Sequence, residues 1–97
     1  MAAASGSLHA PRDRLSKKTI HLHHAIMSLM EELEAIDWYR QRADDCDDKA
    51  LKEILLHNMR EEMEHAAMVL EWIRRNDKDF EKELKDYLFT KGKIGEH

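Results

Sequence analysis

The stretch Asn58–Met68, NMREEMEHAAM, sets three carboxylates and an imidazole within five positions. Glu62 and His65 form a Glu-x-x-His pair. On a helix that spacing brings both side chains to neighbouring arcs one turn apart. About one such pair is expected by chance from the glutamates and histidines available, so the pair alone is not specific. Its register is what marks it. Leu55, Met59, Glu62, Ala66, Val69 and Ile73 alternate spacings of four and three, the pattern of a bundle-facing seam, and Glu62 is its single charged member. A second seam precedes it: Leu22, Ala25, Leu29, Glu32, Ile36, Tyr39 and Ala43. Glu32 is the single charged member there.

Two carboxylates in apolar seams ask for a partner. Burying an ionised carboxylate alone costs several kcal/mol, and neither seam supplies a Lys or Arg. A bound cation answers the need. A register-setting polar pair, or a pair sharing a proton, is the structural alternative. Two carboxylates with one imidazole suit iron or manganese better than zinc, which usually takes more nitrogen or sulfur.

The elements that must hold these residues follow from the pattern. Helical spacing runs from Asp13 or Ser16 to about Ala43. The run DDCDDK, Asp44 to Lys49, reads as a turn and the cap of the next helix. A second helix is expected from about Asp48 to Arg75, a break at Asn76-Asp77, and a third helix from about Asp79 to Phe89. The midpoint of 32 and 62 is 47, inside the turn, so an antiparallel hairpin sets Glu32 and Glu62 at one height. The fold class is all-α: a two-helix antiparallel hairpin with a short C-terminal helix. Residues 1–12 read as a flexible N-terminal arm, 13–90 as the helical domain, and 91–97 as a frayed tail.

Each long helix covers about 28 residues, roughly 40 Å. Two such helices cannot enclose a core, and a second copy is the simplest partner for their remaining apolar faces. The ligand count asks for the same partner. Di-iron bundles take a Glu from each of two helices and Glu-x-x-His from each of two others. This chain holds half of that set, and a two-fold homodimer supplies the rest.

Composition narrows the classes further. The chain has 97 residues, 37% charged and 6% aromatic, with a net charge of −4. No basic surface for nucleic acid is indicated, and no apolar run approaches the length of a membrane span. Cys46 is the lone cysteine, and MAAASGSLHAPR has no apolar signal-peptide region. Both point to the cytoplasm. His21, His23 and His24 read as surface groups, and the six methionines as gap-fillers.

SLMEELEAIDWYRQR followed by LHNMREEMEHAAMVLEWIRRND and YLFTKG resembles the encapsulated ferritins over roughly residues 15 to 92. The resemblance implies a hairpin that dimerises into a ferritin-like four-helix bundle, dimers that join in a ring-shaped decamer, and Fe(II) oxidation by oxygen. It also implies work as cargo inside an encapsulin shell, where ferric product is mineralised. Glu32, Glu62 and His65 match that family's ferroxidase ligands, and Tyr39 a tyrosine beside them. Glu31, Glu34 and Trp38 match an accessory region near the route of metal access. His57, Glu61 and Glu64 match an outer metal site, and Ca2+ or Zn2+ are further occupants for such accessory positions. The short shell-binding tail common in the family is not recognisable in GKIGEH. Two other readings of the ligand set remain: a di-metal peroxidase or catalase, and a non-catalytic metal-binding assembly module.

Overall fold

The computed structural model describes residues 8–95. Two long antiparallel helices dominate it: α1, Lys17–Asp45, and α2, Lys49–Asn76. A shorter helix, α3, Lys78–Tyr87, follows α2 almost at once. The described residues form no strand. Each helix begins on a side-chain cap that satisfies an amide otherwise left without a partner. The Ser16 hydroxyl accepts from the Thr19 amide at 3.1 Å, Asp48 from Leu51 at 2.9 Å, and Asp77 from Phe80 at 3.1 Å. The link between α1 and α2 is only Cys46 to Asp48, and the Cys46 amide donates back to the Ala43 carbonyl at 3.3 Å. So tight a connection forces antiparallel neighbours and fixes their register.

The structure departs from the sequence reading at three places. α1 continues through Asp44 and Asp45, which makes the turn shorter than the aspartate run. Arg12–Arg14 closes a 3₁₀ turn at the edge of the expected arm, while residues 1–7 of that arm lie outside the described residues. α3 stops at Tyr87 rather than Phe89: Leu88 turns to extended backbone and Phe89 takes φ 60, a left-handed conformation a helix cannot absorb.

The seams are where the sequence put them. All thirteen of their members are buried or half-buried. Full burial is nevertheless rare, confined among the described residues to Ile20, Ala43, Ala66 and Ile73. By the register of the turn, Ile20 and Ile73 meet near the open end of the hairpin, and Ala43 closes the turn end. The molecule is a slab of 50 × 38 × 20 Å with a radius of gyration of 16.8 Å. A compact chain of this length would measure about 12.5 Å.

One ion pair ties α3 to a charged cluster on α2. Glu71 accepts from Arg74 Nε and Nη2 and from Arg75 Nε, each at 2.7 Å, and Arg74 Nη1 reaches across to Glu81 of α3. The two guanidinium groups hold the Glu71 carboxyl down at about 2, from an ordinary value near 4.5. The same hydrogen bonds raise Arg74 further above its already high range.

Candidate metal centre

α1 contributes Glu32 and α2 contributes Glu62 and His65, all at mid-height of the hairpin. His65 Nδ1 lies 3.5 Å from Glu32 Oε2 and 3.7 Å from Glu62 Oε2. One ligand atom from each of the three falls within 4.8 Å of the others. No other group of three such side chains gathers in this way among the described residues. The two carboxylates are each 24% exposed, against 43% for the imidazole. The cluster therefore sits at the rim of the seam, half-covered and open on the His65 side.

Its electrostatics are unbalanced. Glu32 Oε2 is shielded from solvent and has no hydrogen-bond partner. Among the described residues no Lys or Arg pairs with either carboxylate; His65 is the one cationic-capable neighbour. Two carboxylate charges about 5 Å apart repel by about 3 kcal/mol at an effective dielectric near 20. A divalent cation placed among the three groups reverses that sign, gives the shielded oxygen a partner, and meets a two-oxygen, one-nitrogen donor set that iron or manganese accepts. The residues present fit a metal.

The remaining sequence candidates are distributed less tightly. Tyr39 lies seven residues from Glu32, about 10 Å along the helix axis, and the guanidinium of Arg42 stacks 5.5 Å from its ring centroid. The structure thus places Tyr39 on the same seam without joining it to the three-residue cluster. Trp38 receives the same guanidinium at 5.9 Å and is 44% exposed. Glu31 and Glu34 share its side of α1, Glu31 exposed and Glu34 half-buried. His57 Nε2 meets Glu61 Oε1 at 3.0 Å on the outer face of α2. Glu64 does not join them in a single ligand group; it borders a shallow apolar depression with Ala67, Met68 and Trp72.

Two features escaped the sequence reading. Arg42 over both aromatics is permitted, but not dictated, by its spacing of three and four from Tyr39 and Trp38. The other is a second stripe on α2. Leu51, Ile54, Met68 and Trp72 are 48%, 57%, 59% and 39% exposed. They continue through Asn58, Glu61 and His65 in the same alternation of three and four. The apolar members of this stripe are bare in a single chain, and His65 lies at its centre.

A thin all-helical hairpin with a carboxylate-rich cluster at mid-height defines the molecule as ferritin-like in class. The EncFtn-like family model matches residues 7–91, and the chain belongs to that family. It is 54% identical over 94 residues to the encapsulated ferritin-like protein of Rhodospirillum rubrum, covering 97% of this chain and 67% of that one. It is 47% identical over 88 residues to a ferritin-like protein of Thermotoga maritima, covering 91% of this chain and 77% of the relative. A crystal structure of a Nitrosomonas europaea protein superposes with a TM-score of 0.88 at 58% identity, over 93% of this chain and 99% of that one.

Proposed function

We propose that the chain is a ferroxidase, which oxidises Fe(II) to Fe(III) with oxygen at a di-iron site completed between two copies. The observation that carries this reading is the Glu32–Glu62–His65 cluster, with its shielded and unpartnered carboxylate oxygen. One chain offers three ligands on the edge of a half-bundle. Two chains related by a two-fold axis offer four carboxylates and two imidazoles, the ligand inventory of di-iron four-helix bundles.

The exposed surface supports the second copy. The chain exposes 7767 Å², where a folded monomer of its mass exposes about 5800 Å². The excess is larger than the roughly 800 Å² that one partner buries in an ordinary stable interface. The bare stripe of Leu51, Ile54, Met68 and Trp72 runs through His65, so covering it with another hairpin also closes the open side of the metal cluster.

Fe(II) is the substrate. Glu62, next to the two-fold axis in this arrangement, is assigned the shared position between two ions, and Glu32 and His65 the outer positions. Carboxylates favour Fe(III), the harder ion, over Fe(II), which lowers the cost of removing an electron. Two ions side by side deliver two electrons to oxygen in one encounter. Tyr39 is assigned to the wall of the site beside the ligands. Glu31, Glu34 and Trp38 are assigned to the approach of hydrated cations, and His57 with Glu61 and Glu64 to an outer site that takes Ca2+, Zn2+ or iron in passage. At the level of assembly we place the chain in a ring-shaped decamer inside an encapsulin compartment of the cytoplasm. The name of the Rhodospirillum relative supports the enclosure.

Stopped-flow mixing of the protein with Fe(II) in air, followed in the ferric charge-transfer band, tests the reading. Glu32→Ala, Glu62→Ala and His65→Ala are each expected to slow the fast phase by about a hundredfold or more, beyond the loss typical of residues that merely support ligands. Wild-type rates in all three variants would reject the site. A fast reaction with hydrogen peroxide and none with oxygen would move the protein to the peroxidase class. A flat trace with metal-dependent assembly would leave a structural module.

A further inference from the structure

Charge is unevenly divided along this chain. Of its 20 acidic residues only Asp13 precedes Glu31, whereas Arg12, Arg14, Lys17 and Lys18 share that segment with His9, His21, His23 and His24. The first part of the chain is therefore basic within an acidic protein. At the open end of the hairpin this segment forms a surface depression lined by Arg12, Leu15, Lys17, Ile20, His21 and His24. Leu15 and the buried Ile20 provide apolar lining, and four nitrogen-bearing side chains surround it.

These four differ from four basic groups of α2 and α3. Arg74, Arg75, Lys82 and Lys85 are each held by a carboxylate. Among the described residues, Arg12, Lys17, His21 and His24 meet none. The start of α1 does not explain the cluster either, since the Thr19 amide is already taken by the Ser16 hydroxyl. The available donors are side chains: a planar guanidinium fork, an ammonium with three N–H groups, and two imidazoles that each keep an N–H even when neutral.

We propose that this depression binds a tetrahedral oxyanion of the phosphate class. Donor-bearing residues of the 3₁₀ turn and of two turns of α1 line one depression, a distribution that suits an acceptor with oxygens in several directions better than a planar carboxylate. Arg gives paired hydrogen bonds and Lys a point charge, a common combination for phosphate. His24 stands eight residues before Glu32, about 12 Å along α1, so the site is separate from the metal cluster and does not depend on the ferroxidase reading.

Calorimetric titration of inorganic phosphate and of tripolyphosphate into the iron-free protein in chloride buffer tests the proposal. Saturable binding is expected, weakened about tenfold or more by Arg12→Ala with Lys17→Ala, the scale of lost charge-assisted hydrogen bonds. His21→Gln with His24→Gln should weaken it as well, and Arg60→Ala on α2 should leave it unchanged. Equal affinity for the two ligands identifies a single phosphate as the occupant. Preference for tripolyphosphate identifies a phosphoryl group of a longer molecule. No saturable uptake of either ligand, or equal uptake by wild type and both double variants, overturns the proposal.

Discussion

At the scale of single residues, Glu32 sets the proposed function against stability. Its Oε2 is shielded and without a hydrogen bond, an arrangement that destabilises the fold and that the proposed bound cation would relieve. Glu32→Met keeps a straight side chain of similar size and removes the charge. The metal-free variant should be more stable than wild type by about 1 kcal/mol, the scale of one unsatisfied buried acceptor, and its melting temperature should no longer rise on adding Fe(II). Thermal denaturation with and without metal measures both. A metal-free variant that melts below wild type would mean the carboxylate has a structural role instead. Glu32 was legible in the sequence because one charge interrupted an otherwise apolar period. Arg42 over Trp38 and Tyr39 was not, since spacing alone does not say which rotamer a long side chain adopts.

At the scale of elements, the hairpin follows from local chemistry. Ser16, Asp48 and Asp77 cap the three helices, and the short link at Cys46–Asp48 sets the register that joins Glu32 to Glu62 and His65. Seams and caps are short-range signals, which is why both long helices and the cluster were readable in advance. The end of α3 was not, because Leu88 and Phe89 are apolar in either conformation and no glycine marks the left-handed turn. Nor was the clasp among Glu71, Arg74 and Glu81, which spans two helices. That clasp has a pH signature. Glu71 has a depressed folded pKa of about 2, so its contribution is complete above its ordinary value near 4.5 and is lost as pH falls toward 2. Melting curves of wild type and Glu71→Gln should therefore differ near neutral pH, wild type being the more stable, and converge as pH falls through that window. A gap that persists to pH 2 would show that Glu71 acts by packing rather than by charge.

At the scale of the whole molecule, the proposed function makes the chain half of a structure. Its radius of gyration of 16.8 Å and its few buried residues describe an open slab, and its metal cluster opens on the same side as the bare stripe of α2. In the proposed dimer, assembly and chemistry are one event. Ile54→Lys, in the stripe but eleven residues from His65, should shift the protein toward single chains in sedimentation velocity. It should also abolish fast Fe(II) oxidation with every ligand still present. Full activity in a monodisperse single chain would separate the two.

Iron-edge anomalous diffraction from crystals soaked in Fe(II) decides whether two copies share one di-iron site. A pair of iron peaks is expected between two hairpins, with Glu32, Glu62 and His65 of each copy around them. Iron elsewhere on the chain, with Glu32 and Glu62 directed to open solvent and no second copy against them, would contradict a shared site.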